Sequence, residues 1–103
     1  MPKSSIEQVL AKDREEWVAA NAAVQLDVRE PKEWATGIIE GVTQMSMGSI
    51  PARLDELGEE TPVLVICRSG QRSQKVAEFL AAQGYEAANL SGGMIAVAKQ
   101  PSQ

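Results

Sequence analysis

The four consecutive residues Val63-Leu64-Val65-Ile66 constrain this chain more than any other segment. A strand with one solvated face alternates apolar and polar residues. A run that is apolar at every position needs cover on both faces, as in an interior strand of a parallel sheet. Pro62 leads into the run, and the polar segment Cys67-Arg68-Ser69-Gly70-Gln71-Arg72-Ser73 follows it at once. Val76, Ala77, Phe79 and Leu80 then recur at helical spacing through Gln83, and Gly84 supplies the stop. Buried strand, short glycine-bearing turn and helix thus succeed one another with no linker between them.

The same alternation runs through the rest of the chain. Ser4 through Ala11 is expected to form a short helix, with Ser4 and Glu7 spaced as a capping box. Asp13 and Glu16 repeat that spacing ahead of Trp17 and Val18. Val24 to Val28 reads as a strand with Asp27 and Arg29 at its C-terminal end, and Pro31 opens a short helix through Trp34 and Ala35. Gly37 and Gly41 lead to a short strand near Val42 to Met45. Ile50, Leu54 and Leu57 mark a further helix ended by Gly58, Glu86 to Leu90 a last strand, and Gly92-Gly93 opens a final helix from Met94. Such alternation predicts one α/β domain over residues 1–103, with a mainly parallel central sheet flanked by helices in three layers. In sheets of this kind the active crevice lies at the C-terminal strand ends, which is where Cys67 stands.

Composition narrows the chemistry. The 103 residues carry a formal net charge of -4, with no dense Lys/Arg block, so nucleic acid is not an expected partner. No apolar run approaches the ~18 residues of a membrane span, and the polar N-terminus lacks the apolar stretch of a secretory signal, so a cytoplasmic location is expected. The chain has one cysteine and no histidine. An internal disulfide, a Ser-His or Cys-His couple and a His-ligated metal site are therefore excluded, and neither a metal nor a cofactor is called for.

A lone cysteine is most often a small buried hydrophobe. The surroundings of Cys67 argue for more. A short strand-to-helix turn aims successive backbone N–H groups at one point, and the following helix adds its positive end. Arg68 and Arg72 bring two charges to the same region, and Gly70 supplies the backbone freedom of a tight loop. Each feature favours thiolate over thiol, so the acidity of Cys67 is expected to be raised.

Cys67 to Ser73 resembles the active-site loop of rhodanese domains. Leu26-Asp27-Val28-Arg29-Glu30-Pro31, with Glu33-Trp34 and Gly37 after it, is similar to that family's upstream signature, and Leu90-Ser91-Gly92-Gly93-Met94 to its downstream glycine motif. The blocks lie in the family's order and span about Val24 to Ala96. The resemblance implies a rhodanese-like fold and a sulfurtransferase. A thiolate would attack the sulfane sulfur of thiosulfate or a persulfide donor, and cyanide or a thiol acceptor would then attack the resulting persulfide. Mapped here, Cys67 would be the nucleophile. Backbone amides of Arg68, Ser69, Gly70, Gln71, Arg72 and Ser73 would hold the persulfide, and Arg68 and Arg72 would draw in an anionic donor. Replacing Arg72 by Ala is on this view expected to weaken thiosulfate use more than stability. Asp27 and Arg29 would orient the crevice or lock a strand end, and Gly92 and Gly93 would form a tight turn beside the site. Trp17 and Trp34 are expected to pack, and Met45, Met47 and Met94 to line the core or crevice.

Ile38 stands where the family often has His, Glu40 where many members have Pro, and Val97 where Trp is usual. These departures bear on the crevice and its lid. Three rival readings remain. A cysteine phosphatase or arsenate reductase would share the architecture, but a phosphatase needs Arg six positions after Cys to clamp a tetrahedral oxyanion, and Ser73 occupies that place. A non-catalytic recognition domain would more often have lost the cysteine. A protein-to-protein sulfur relay would keep the chemistry and replace free thiosulfate by a partner protein.

Overall fold

In a computed structural model, which describes residues 6–100, five strands form one sheet in the order β1-β5-β4-β2-β3. The strands are β1 (Glu7–Val9), β2 (Val24–Asp27), β3 (Thr43–Gln44), β4 (Val63–Ile66) and β5 (Ala87–Leu90). Every neighbouring pair is parallel, with Leu26 opposite Val65 and Val65 opposite Asn89. The helices are α1 (Arg14–Asn21), α2 (Pro31–Trp34), α3 (Ile50–Arg53), α4 (Gln71–Ala82) and α5 (Gly93–Ala98). The all-parallel sheet is thus purer than the mainly parallel one expected.

All four β4 residues are buried, because the pleat sends them alternately into two separate cores. Val63 and Val65 join Leu26, Val28, Met45, Ile50 and the α4 residues Val76, Ala77 and Leu80 on one face. Leu64 and Ile66 join Val9, Ala88 and Leu90 on the other, where Trp17 and Val18 of α1 and Met94 and Val97 of α5 pack over them. Each fully buried aliphatic side chain contributes roughly 1.5–3 kcal/mol. That is why four successive apolar residues belong here.

The segment from Ser4 to Ala11 departs from its expected helix. Ser4 and Ser5 lie outside the described residues, and Glu7–Val9 forms the edge strand β1, with Glu7 opposite Ala88 and Val9 opposite Leu90. Val9 is buried against β5 while Glu7 and Gln8 are exposed. Sheet pairing and the burial of Val9 outweigh the local capping signal, which is worth only about 1 kcal/mol. The helix expected around Ile50 to Leu57 is split, α3 passing into a 3-10 turn over Leu54–Glu56. The remaining strands and helices fall where their patterns place them, within a residue or two at their ends, except that α4 begins at Gln71, inside the polar segment and ahead of the apolar positions from Val76, because Gly70 already turns the chain into the helix.

Candidate active site

Strand β4 ends at Ile66, and the chain turns at Cys67 into a loop that re-enters helix α4 at Gln71. Gly70 makes the turn possible. Its φ of +98° belongs to the left-handed region, which a side chain resists. The loop curls around the Cys67 sulfur. The Gly70 N–H donates to Sγ at 3.1 Å, the Ser73 N–H approaches at 3.4 Å, and the Ser73 hydroxyl lies at 3.3 Å. The residue is fully buried. Burial alone pushes its thiol up, but donation to the sulfur by the Ser73 hydroxyl and by the N–H groups of Ser73, Gly70 and Ser69 outweighs it. The thiol is held below its ordinary range.

The downstream glycines meet the loop from behind. The Met94 N–H donates to the Cys67 carbonyl at 2.8 Å and the Ile95 N–H to the Arg68 carbonyl at 3.0 Å. So the first turn of α5 uses its free donors to hold the start of the loop. Backbones come so near that a Cβ on Gly93 would overlap the Cys67 and Arg68 carbonyls. Gly93 thus packs closely against the loop, while Gly92, at a φ of +80°, turns the chain into α5 and faces Ala96 of that helix.

The two arginines divide. Arg68 is exposed and makes no ion pair among the described residues. Arg72 instead grips Glu33 of α2 with both terminal nitrogens, each at 2.8 Å. Of the two charges expected beside the loop, that of Arg72 is offset by Glu33 and that of Arg68 has no ion-pair partner among the described residues. The Gln71 side chain is exposed at the start of α4, whereas Ser73 is fully buried.

Asp27 and Arg29 form a buried pair at the end of β2, with Arg29 Nε and Nη2 both donating to the carboxylate. Arg29 also donates to the backbone carbonyls of Glu33 and Gly37. The pair ties the strand end to α2 and the connection after it, and the register sets Asp27 beside Ile66, on the sheet face away from Val65. It supports the wall of the crevice without reaching the sulfur.

A crevice of about 490 Å³ lies beside the cysteine loop and meets it through Arg68; Arg29, Lys32, Ile38, Met94 and Ile95 are among its other lining residues. Ile38 and Ile95 are 44% and 36% exposed. Met94 lines it as expected, Met45 is core, and Trp17 packs over the second core. Of the unusual positions, Ile38 stands on the crevice, Val97 packs over the second core, and Glu40 lies at a separate hollow beside Arg14.

Two residues of the site escaped the sequence reading. In the sequence Glu33 stands only within a motif, and nothing local pairs it with a residue 39 positions away. Asn89 is buried in β5, where its Oδ1 accepts from the Ser73 hydroxyl and its Nδ2 donates to the Gly70 carbonyl at 3.2 Å. Its signal was present: a polar residue inside a buried strand must find partners.

Residues 10–100 match the model of the Rhodanese-like domain. The chain is 41% identical over 75 residues to a sulfurtransferase of Allochromatium vinosum, covering 72% of this chain and 70% of that protein. It is 35% identical over 81 residues to the thiosulfate sulfurtransferase GlpE of Pseudomonas entomophila, covering 79% of this chain and 69% of that one. The crystal structure of a rhodanese-related protein from Thermoplasma volcanium superposes with a TM-score of 0.85 at 27% identity, over 94% of this chain and 95% of that chain. With the fold, the cysteine loop and the glycine motif in agreement, the chain belongs to the rhodanese-like domain family.

Proposed function

We propose that this protein is a sulfurtransferase that carries sulfur as a persulfide on Cys67. The observation that carries the proposal is the convergence of the Gly70 and Ser73 N–H groups and the Ser73 hydroxyl on one buried sulfur. The two backbone donors are fixed in advance around the developing anion and stabilise it without reorganisation, and the hydroxyl can add a third bond. The Cys67 thiolate attacks the outer sulfur of thiosulfate, the donor S–S bond breaks, and sulfite leaves with the electron pair. Cyanide or a thiolate then attacks the terminal sulfur of the Cys67 persulfide. The new S–S bond breaks, thiocyanate or an acceptor persulfide departs, and the thiolate returns. Arg68 attracts the anionic donor, and the loop amides from Arg68 to Ser73 receive the persulfide charge. The GlpE relative is named for thiosulfate, which supports that donor here. Residues 1–103 act as one catalytic domain, and the site of action is cytoplasmic. No helix among the described residues is long and apolar enough to cross a membrane.

A second reading, transfer from a partner protein's persulfide, is favoured by the exposed apolar side chains of Ile38 and Ile95 at the crevice. Intact mass spectrometry separates the two. Reduced protein incubated with thiosulfate is expected to gain one sulfur, which cyanide removes as thiocyanate and which Cys67→Ser never acquires. A folded protein with a free thiol and no adduct would reject thiosulfate and leave the partner-protein donor.

A further inference from the structure

One proton serves two acceptors at Ser73. Its hydroxyl oxygen lies 3.3 Å from Cys67 Sγ and also against Asn89 Oδ1. The backbone settles which way the Asn89 amide faces. The atom 3.2 Å from the Gly70 carbonyl must be a donor, so it is Nδ2, which also donates to Gln8 Oε1 at 2.9 Å. The Gln8 amide nitrogen is itself engaged, with the Ile6 carbonyl and Gln74 Oε1. Oδ1 therefore faces Ser73 and can only accept, while a serine hydroxyl has a single proton to give.

We propose that Asn89 is a positioning residue that competes with the Cys67 sulfur for the Ser73 proton, and so controls how readily the bare thiolate forms. The proposal rests on Cys67 being the nucleophile. In the thiol form Ser73 gives its proton to Asn89 and accepts the S–H of Cys67. On ionisation the thiol proton passes to water, the hydroxyl turns to the sulfur, and buried Oδ1 loses its donor. An orphaned buried acceptor is unfavourable, so Asn89 opposes the bare thiolate. Once a second sulfur is attached, the charge sits on the outer atom and Ser73 can return to Asn89. The competition thus falls on the empty carrier and is relieved in the loaded one.

Asn89 is well placed for this. It is 3% exposed and stands on β5 opposite Val65 of β4 and Gln8 of β1, so the sheet, not the loop, holds it. The charged groups around Cys67 are Arg68 and Arg72 on its own loop and helix, the latter held by Glu33 of α2 with Glu30 nearby. Lys32 of α2 lines the crevice, and Asp27 of β2 lies on the other sheet face with its partner Arg29. Strand β5 offers Asn89, and α5 carries no charged side chain. None of these groups shares a proton with Ser73.

The test is a thiolate absorbance titration of the whole protein, with Cys67→Ser subtracted to remove the Tyr85 signal. Ser73→Ala is expected to raise the Cys67 midpoint. Asn89→Ala is expected to lower it by about half a pH unit, roughly a threefold gain in thiolate at a given pH. In a Ser73→Ala background Asn89→Ala is expected to do nothing. A scaffolding role for Asn89 would move the midpoint the other way, since a loosened loop stabilises thiolate less. An upward or absent shift in the single variant, or a full shift in the double one, would overturn the proposal. Asn89→Leu, close in shape and lacking the acceptor, repeats the test if the alanine variant does not fold. The titration needs no sulfur donor, so its outcome is independent of whether thiosulfate loads Cys67.

Discussion

Arg72 and Glu33 hold each other in a two-point ion pair, Nη1 to Oε1 and Nη2 to Oε2, both at 2.8 Å across 39 residues of sequence. The same carboxylate accepts the Glu30 N–H at 2.9 Å, closing the start of α2. One side chain thus joins α2, which walls the crevice, to α4, which carries the cysteine loop. Arg72 hydrogen bonding outweighs desolvation and pulls the Glu33 carboxyl down to about 2 from 4.5. A depressed carboxyl stabilises the fold above its unfolded value. That contribution is complete at neutral pH and is lost as the pH falls from 4.5 towards about 2.

Glu33→Gln should therefore lower stability by about 1 kcal/mol at neutral pH, since both partners are partly solvated. The gap to the unsubstituted protein should shrink on acidification through that window. Urea unfolding of both proteins at neutral and acidic pH is the measurement. A gap independent of pH would show that the ion pair is not its source.

Arg68 and Arg72 should now separate in kinetics. Arg68→Ala is expected to raise the KM for thiosulfate severalfold, with a shallower salt dependence, because its charge is exposed and unshared. Arg72→Ala should have the smaller effect on KM and the larger on stability, reversing the order expected from sequence. Steady-state assays at low and high salt, set beside unfolding curves, decide it. Equal KM effects would return Arg72 to the donor site.

Removing Arg29 by Arg29→Ala leaves the fully buried Asp27 carboxylate without its cation, a change that typically costs 3–5 kcal/mol. Arg29→Lys should recover little, because a single ammonium cannot reproduce the guanidinium's simultaneous bonds to Asp27, Glu33 and Gly37. Equilibrium unfolding gives the answer; a loss under about 1 kcal/mol would mean the pair is solvated.

Gly93→Ala should cripple sulfur transfer, and Gly41→Ala should not. Both glycines have positive φ, so each substitution carries backbone strain of about 1–2 kcal/mol. Only at Gly93 would the new methyl group strike the Cys67 and Arg68 carbonyls, whereas at Gly41 it meets open space. Persulfide yield by mass, normalised to folded protein, should fall only for Gly93→Ala. Similar yields would mean that the loop tolerates displacement.

By itself the sequence determined the layered α/β architecture, the interior place of Val63 to Ile66 and the position of Cys67 at a strand end. Those features are written in local periodicity and in the order of neighbouring residues, and the burial of β4 in two cores needs no distant information to anticipate. Tertiary structure alone decided three other things. Glu7–Val9 became a strand because β5 offered an open edge and a place for Val9, which outweigh a weak helix signal. Arg72 lost its free charge because α2 brings Glu33 to it. Asn89 reached Ser73 because parallel register sets it opposite Val65, two residues before the cysteine on the same face of β4. Each of these depends on residues far apart in the chain, and register and packing between elements have no counterpart in local spacing.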